Sequence, residues 1–371
     1  MSARRRCAAV LLAALAVAPA ALAQDAPSGQ VRFLSGFEMR SVSFGADLGV
    51  NKVTEMAIPL GAIWTVSPRL TLDFGVRYAK ATRTPEDDSL AAESVSGPTD
   101  MQVRGVYQII PDFVVLTLGA NLPTGKTALS GSELPAAGAV ASDLIPFPVT
   151  SFGSGANVTS GLAVAVPFAG WAIGVGASYR MTSGYTPLAE VDSTYRPGGE
   201  MRLRAGADRL LGQGRLSLGL TYSNFTNDEF GGSAVYRPGG RYITQASWSF
   251  PLGNVGLGVY VWDLYRGAGT VTLSGSPTEK QNLLALGATA SIQLGRNQLR
   301  PQVEYRRQTA GTETMTDAGK LMSFSVRYGF QLTDVLQLSP AVRFDAGNVV
   351  SSGVATSFTG WGLSLGLRAT L

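Results

Sequence analysis

The chain ends with Ser357 to Leu371, S-F-T-G-W-G-L-S-L-G-L-R-A-T-L, in which apolar and polar residues alternate. Successive side chains of a β-strand point to opposite sides, so this alternation predicts a strand with one apolar and one polar face. The apolar face comprises Trp361, Leu363, Leu365, Leu367, Ala369 and Leu371. The polar face comprises Gly360, Gly362, Ser364, Gly366, Arg368 and Thr370. The stretch is long for a soluble strand and indicates the closing strand of a membrane-spanning barrel.

The composition favours the same class of protein. Of the 371 residues, 45% are apolar, only 15% are charged, and 45 are glycine. A soluble domain normally has about a quarter of its residues charged. Beyond the N-terminal region, no run of about 20 apolar residues is long enough to form a transmembrane helix. We therefore predict an all-β protein, a transmembrane antiparallel up-and-down β-barrel.

The N-terminal residues have the pattern of a secretory signal peptide. Three arginines, Arg4, Arg5 and Arg6, precede an apolar run, and Ala21-Leu22-Ala23 fits a cleavage site with small residues. The predicted organisation is a signal peptide at 1–23, a short periplasmic lead-in at 24–36 and an outer-membrane β-barrel at 37–371. The expected location is therefore the outer membrane of a Gram-negative cell.

Charge and residue usage exclude several classes of function. The basic isoelectric point, about 9.2, arises partly in the signal peptide, because three of the 30 basic residues lie there and none of the 26 acidic ones does. The remaining chain is nearly neutral, so a nucleic-acid partner is not expected. The sequence contains no histidine, and its single cysteine, Cys7, lies in the signal peptide. We therefore predict no enzyme activity, no cofactor and no metal site.

Turn signals give the number of strands. Tight connections alternate with longer polar ones, and they occur at 66–68, 111–112, 167–169, 212–214, 251–254, 295–297 and 333–334. Outer-membrane barrels have short periplasmic turns and longer extracellular loops in this order. The pattern predicts about 16 strands, with 14 possible, and an even number places both chain ends in the periplasm.

The alternation also predicts which residues line the lumen. On the strand predicted at about 69–82, an arginine on the lipid face near the midplane would cost about 2–4 kcal/mol, so the charged face is assigned to the interior. The arginines assigned inward are Arg69, Arg77, Arg104, Arg180, Arg202, Arg204, Arg300, Arg306, Arg327, Arg343 and Arg368. The acids assigned inward are Asp73, Glu200, Asp208, Glu304 and Asp345. Most are expected to pair across strands, as Arg300, Glu304 and Arg306 could, and the arginine excess predicts a weak preference for anions.

The longest connection, about 123–152, is rich in Gly, Ala, Ser and Pro. Loops of this length are usually functional or disordered. This one could fold into the lumen as a constriction or cover the mouth of the barrel.

A second loop feature is a repeated sequence, Tyr-Arg-Pro-Gly-Gly, which occurs at 195–199 and again at 236–240 and fits duplication of a hairpin.

Two short motifs carry a resemblance to a known family. Gly97-Pro98-Thr99-Asp100 opens one strand, and Asn121-Leu122-Pro123-Thr124-Gly125-Lys126 ends the next. In these residues the chain resembles the transporter-like outer-membrane family associated with the MetA pathway of phenol degradation. The resemblance implies uptake of small, often aromatic compounds. Outer-membrane barrels commonly end in Phe or Trp, which the assembly machinery reads, whereas this chain ends in Leu371.

Three functional hypotheses follow. The first is an outer-membrane channel for passive passage of small solutes, with a weak anion bias. The second is a plugged or lidded transporter for small apolar or aromatic compounds, which would need an apolar pocket inside the barrel. The third is a structural or adhesive barrel. The expected partners are outer-membrane lipid, a small-molecule solute and the barrel-assembly machinery, and the sequence leaves the oligomeric state open.

Overall fold

The structure is a computed structural model that describes residues 28–371. The predicted signal peptide lies outside the described residues. In chain order the strands are β1 (Val31–Phe44), β2 (Val50–Ser67), β3 (Leu70–Pro85), β4 (Glu93–Pro98), β5 (Met101–Ile110), β6 (Val114–Leu122), β7 (Asn157–Phe168), β8 (Trp171–Thr182), β9 (Tyr195–Arg196), β10 (Glu200–Leu211), β11 (Gly214–Phe225), β12 (Asp228–Phe230), β13 (Ser233–Arg237), β14 (Arg241–Leu252), β15 (Val255–Arg266), β16 (Thr270–Val271), β17 (Lys280–Leu294), β18 (Asn297–Gly311), β19 (Thr316–Gln331), β20 (Leu336–Ser351) and β21 (Val354–Thr370). One short helix, α1 (Leu134–Val140), lies between β6 and β7.

The main sheet closes on itself as an antiparallel barrel. Strand β1 pairs with both β2 and β21, and the backbone N–H groups of Val31 and Leu371 each bond the other's carbonyl, at 3.0 and 2.8 Å. Strands β4 and β5 both pair with β3 and form one interrupted strand, so the barrel has 16 strands. The predicted up-and-down barrel of about 16 strands is confirmed.

The outer surface of the barrel is apolar. On β21 the side chains of Trp361, Leu363, Leu365 and Leu367 are exposed, on the face predicted from the sequence. Tyrosine rings contact one another near the long loops, where Tyr242 lies between Tyr222 and Tyr265. Trp248 and Phe250 contact each other near the short turns. An apolar band between two aromatic girdles is the surface of an outer-membrane barrel, and the predicted location is confirmed.

Three strand boundaries differ from the sequence prediction. Residues 31–36, assigned to the periplasmic lead-in, belong to β1, because β21 provides backbone hydrogen-bond partners along this whole stretch. Arg69, assigned to the lumen wall, lies in the tight turn between β2 and β3 and not on a strand. The strand predicted at about 69–82 extends to Pro85, and its last residues pair with β4.

The long connection folds into the barrel. We call residues 123–156 the inserted segment. Its buried apolar side chains are Ala136, Val140, Leu144, Ile145, Phe147, Val149 and Phe152. They pack against inner-face side chains on one side of the wall, namely Val42, Val53, Ala79, Ala81, Val95, Leu283, Leu321 and Phe358. Of the two positions left open by the sequence, the segment takes the one inside the lumen.

A second, small sheet covers part of the long-loop end. It consists of β9, β12, β13 and β16, which come from three successive loops. The two Tyr-Arg-Pro-Gly-Gly copies occupy equivalent positions in it. A Cβ at Gly198 would lie 2.1 Å from the Thr226 carbonyl oxygen, and one at Gly239 would lie 2.2 Å from that of Gly267. In each copy the backbone of the following loop therefore packs directly against the glycine, which agrees with duplication of a hairpin.

Among the described residues, no helix is both long and apolar enough to cross a membrane.

Candidate functional site

The predicted charged residues of the strands lie on the inner face of the barrel. Directly opposed residues of antiparallel strands point to the same side. Asp73 is opposite Arg104, and Glu200 is opposite Arg180, while the exposed apolar residues lie on the other face of these strands. The inner-face positions outside the turns are Asp73, Arg77, Arg104, Arg180, Glu200, Arg202, Arg204, Asp208, Arg300, Glu304, Arg306, Arg327, Arg343, Asp345 and Arg368.

Glu200 is the centre of the first ionic group. Its carboxylate is nearly fully buried and lies 2.8 Å from Arg202, 2.6 Å from Arg241 and 3.3 Å from Arg180. Three guanidinium groups around one carboxylate leave this part of the wall positively charged. Arg241 was not among the sequence-predicted residues. It shares one face of β14 with Gln245, opposite to that of Tyr242, and this alternation is the signal that could have found it.

Asp345 and Glu304 form a second ionic group on strands β18 to β20. Asp345 lies 2.7 Å from Arg40 and 2.9 Å from Arg343, and it accepts a hydrogen bond of 2.5 Å from the Ser323 hydroxyl. Glu304 lies 2.9 Å from Arg306 and accepts a bond of 2.6 Å from the hydroxyl of Tyr260. Arg40 and Tyr260 were missed by sequence reasoning, because β1 and β15 carry mixed residues on both faces.

The expected pairing of Arg300 with Glu304 does not occur. Glu304 binds Arg306 instead, while Arg300 is directly opposite Arg327 on the next strand. The remaining acids follow the expectation more closely: Asp73 lies 2.6 Å from Arg104, and Asp208 lies 2.9 Å from Arg215. Inside the barrel, arginines therefore outnumber the carboxylates that they neutralise.

The inserted segment is tied to the same charged wall. The backbone N–H of Val149 donates a hydrogen bond of 2.9 Å to Glu55, whose side chain is fully buried. Arg306 donates to the carbonyl of Asp143 at 3.1 Å, and Arg266 forms an ion pair with the carboxylate of Asp143. Arg40 and Arg77 donate to the carbonyl oxygens of Pro146 and Pro148, respectively. These contacts hold the segment against one side of the lumen at a defined depth.

A single carboxylate joins the two ends of the inserted segment. Asp100 is buried at the break between β4 and β5, and it accepts hydrogen bonds from the backbone N–H groups of Gly125 at 3.0 Å and Ser154 at 2.7 Å. Thr124 donates from its hydroxyl to the carbonyl of Thr99 at 3.1 Å. The two motifs that carry the family resemblance are therefore in direct contact, and together they form the base of the segment.

The opposite side of the wall is left open by small side chains. Inner-face glycines occur on five neighbouring strands, β6, β7, β8, β10 and β11, at Gly119, Gly161, Gly176, Gly206 and Gly219. A cavity of about 360 Å³ lies along this wall, and Arg104, Arg180, Arg202 and Arg204 line it. A second cavity, of about 540 Å³, lies against Pro146 and Pro148 of the inserted segment.

The described part of the chain contains no group of three or more acidic, histidine or cysteine side chains that could hold a metal ion. The ionic groups described above bind carboxylates to guanidinium groups. The guanidinium groups outnumber the carboxylates around Glu200, so this part of the inner face carries a net positive charge.

No protein-family model and no curated protein sequence matches the chain. The resemblance to the family associated with phenol degradation therefore stays a prediction. Solved structures of similar shape include OprB of Pseudomonas putida, with 12% identity, 97% of each chain covered and a TM-score of 0.48. Another is the monoaromatic hydrocarbon channel CymD, with 11% identity, 97% of this chain and 92% of that chain covered, and a TM-score of 0.46. An anion-selective porin from Comamonas acidovorans has 14% identity, with 93% and 100% covered and a TM-score of 0.41.

Proposed function

We propose that this barrel is an outer-membrane channel for the passive passage of small solutes, with a preference for anions. The observation that supports it most directly is the asymmetry of the lumen. The inserted segment packs on one side of the wall, whereas the inner face from β6 to β11 carries mainly small side chains. A 16-stranded barrel is wide enough to hold an aqueous channel. We infer that solutes pass between the inserted segment and this small-residue wall.

The charge of this wall supports the anion preference. Arg104, Arg180, Arg202 and Arg204 line the cavity. Glu200 is shared by Arg180, Arg202 and Arg241, and Asp73 pairs with Arg104. A charge-lined passage favours ions of the opposite sign. Many of the arginines are engaged in ion pairs, which reduces the field that a passing ion experiences. The preference is therefore expected to be modest.

The lidded transporter for apolar or aromatic compounds has less support. That hypothesis requires an apolar pocket inside the barrel. The apolar side chains inside the described lumen, such as Leu144, Phe147 and Phe358, are buried against each other. The two lumen cavities described above both have arginines in their walls. A structural or adhesive role would rest on the small outer sheet, for which no binding partner is indicated.

Single-channel recording in planar lipid bilayers tests the proposal. The folded barrel is expected to give stepwise currents in potassium chloride, with a reversal potential in a salt gradient that is displaced towards that of chloride. Replacing residues 134–148 by a short Gly-Ser linker should raise the conductance, because these residues occupy the lumen. The matched control is deletion of residues 273–275 in an exposed loop, which should leave the conductance unchanged.

A correctly folded barrel that carries no current would overturn the open-channel proposal. If the 134–148 replacement left conductance unchanged but abolished uptake of an apolar solute, the segment would be a lid and the transporter hypothesis would replace ours.

A further inference from the structure

Two arginines face each other on the inner wall without a neutralising partner. Arg300 on β18 is directly opposite Arg327 on β19, so their Cα atoms are separated by about 4.5–5.5 Å. Neither side chain forms an ion pair or hydrogen bond with any residue that the structure describes. Like charges directly opposite each other destabilise a sheet. An anion held between them would remove this repulsion.

The neighbouring carboxylates are already engaged. Glu304 is bound by Arg306 and Tyr260, and Asp345 is bound by Arg40 and Arg343. The other acid that lines the same cavity is Glu38, on β1. Three strand spacings separate it from Arg327, through Ala341 and Ser364, which corresponds to about 14 Å. The two guanidinium groups therefore depend on the solution in the lumen for their counter-charge.

The surroundings of the arginine pair form a cavity of suitable size. Its volume is about 540 Å³, and the inserted segment forms one wall through Pro146 and Pro148. Gln302 and Ser325 are the next inner-face residues after Arg300 and Arg327 and lie directly opposite each other. They add an amide and a hydroxyl to the lining of the cavity. Arg343 is opposite Ser325 and adds a third guanidinium group, although it is also bound to Asp345. Small-molecule sites typically have volumes of about 300–1,000 Å³.

We propose that this cavity is a binding site for a small dianion whose charge is carried by phosphate or carboxylate oxygens. The planar fork of arginine presents parallel N–H donors that match two oxygens of such a group. Two adjacent forks balance two negative charges, which a halide cannot provide. The proposal deepens the proposed channel function, on which it depends for access of the solute to the lumen.

Isothermal titration calorimetry of the detergent-folded barrel tests the site directly. Inorganic phosphate, at a pH where it is mainly dianionic, and succinate are titrated separately against a sodium chloride background. Saturable binding of at least one of them is expected. Binding of phosphate alone would identify a phosphate-type ligand, and binding of succinate alone would identify a dicarboxylate.

The decisive variants are Arg300→Gln and Arg327→Gln. Each should weaken binding at least tenfold, because the dianion then faces a single guanidinium group of the pair. Arg368→Gln is the matched control, since Arg368 lies on the inner face but does not line this cavity. Circular dichroism confirms that each variant keeps its β-structure. Equal binding by the Arg300→Gln, Arg327→Gln double variant and the wild type, or no saturable binding of either dianion, would overturn the proposal.

The binding and channel proposals can fail separately. A barrel that conducts ions but shows no saturable dianion binding keeps the channel function and loses the site. A barrel that binds a dianion at Arg300 and Arg327 but carries no current keeps the site and loses the open channel.

Discussion

The carboxylate of Asp100 accepts a hydrogen bond from the backbone N–H of Ser154 across 2.7 Å. The same carboxylate accepts a second bond from Gly125, so that one side chain joins the two ends of a segment of about thirty residues inside the barrel. The hydroxyl of Ser154 also donates to it, at 3.2 Å. Because both ends of the segment are held at one point, its position in the lumen depends strongly on this residue.

Asp100→Asn is expected to destabilise the base of the inserted segment. The amide nitrogen of asparagine cannot accept the bonds that one carboxylate oxygen accepts now, and each unsatisfied buried donor costs about 1–3 kcal/mol. The measurement is the free energy of unfolding in urea, followed by tryptophan fluorescence, together with open-channel current noise, which should increase. Asp88→Asn, in an exposed loop, is the control and should change neither quantity. A variant with unchanged stability and noise would contradict the role assigned to Asp100.

Asp345→Asn is expected to be strongly destabilising. Arg40 is buried, and the Asp345 carboxylate at 2.7 Å is the acidic partner with which it forms an ion pair. Removing one member of a buried ion pair costs about 3–5 kcal/mol, since the other charge remains buried.

The exposed pair of Arg296 and Asp334 at the short-turn end provides the comparison for Asp345. Asp334→Asn should cost only about 0–1 kcal/mol, because water screens this pair. Urea unfolding of the two variants side by side checks the difference. Equal losses of stability would mean that burial does not distinguish the two pairs.

Leu144→Ala tests the apolar attachment of the inserted segment. Leu144 is only 1% exposed and packs within the cluster that joins the segment to the wall. Truncation of a buried leucine costs about 2–5 kcal/mol, from lost apolar burial and the cavity that remains. Thermal unfolding should show a lower Tm, and the conductance should fluctuate more. Leu273→Ala, at an 84% exposed loop position, should leave both unchanged.

Two glycines of the inserted segment should respond oppositely to alanine. A Cβ at Gly125 would lie 2.3 Å from the carbonyl oxygen of Phe152, so Gly125→Ala must displace the backbone and lower stability. Gly138 lies in helix α1, where a Cβ would meet open space, with no atom outside the helix backbone within 4 Å. Gly138→Ala should therefore stabilise the protein by about 0.5–1 kcal/mol. The order of the two unfolding free energies checks the prediction, and the reverse order would contradict it.

Arg180→Gln combined with Arg204→Gln is expected to reduce the preference for anions. Both side chains line the cavity along the small-residue wall from β6 to β11. Glu200 keeps Arg202 and Arg241 as partners after the change. The chloride-to-potassium permeability ratio, from reversal potentials, should fall towards one. Arg209→Gln is the control, since Arg209 lies on the outer face against the ring of Trp171. If the permeability ratio stays at the wild-type value, the arginines of this wall do not cause the anion preference.

The sequence by itself determined the barrel and its two faces. The alternation in Ser357–Leu371 is a local property with a period of two residues, so it assigns Trp361 outward and Arg368 inward without knowledge of any partner strand. The order of tight turns and longer loops is also local, and it was sufficient for the number of strands. Strand ends such as Val31 were less predictable, because they depend on how far the neighbouring strand β21 extends.

Only the tertiary structure decided which inner-face residues meet. Arg300, Glu304 and Arg306 lie on one face of one strand, and the register with β19 places Arg327, rather than an acid, opposite Arg300. The position of the inserted segment was likewise open, because the apolar residues that hold it, such as Val42, Leu283 and Phe358, are far apart in the chain. Closure of the barrel brings them to one side of the lumen. This packing joins residues that are distant in the sequence, so no sequence periodicity could predict it. It leaves the rest of the inner wall uncovered, and that is where we propose that solutes pass.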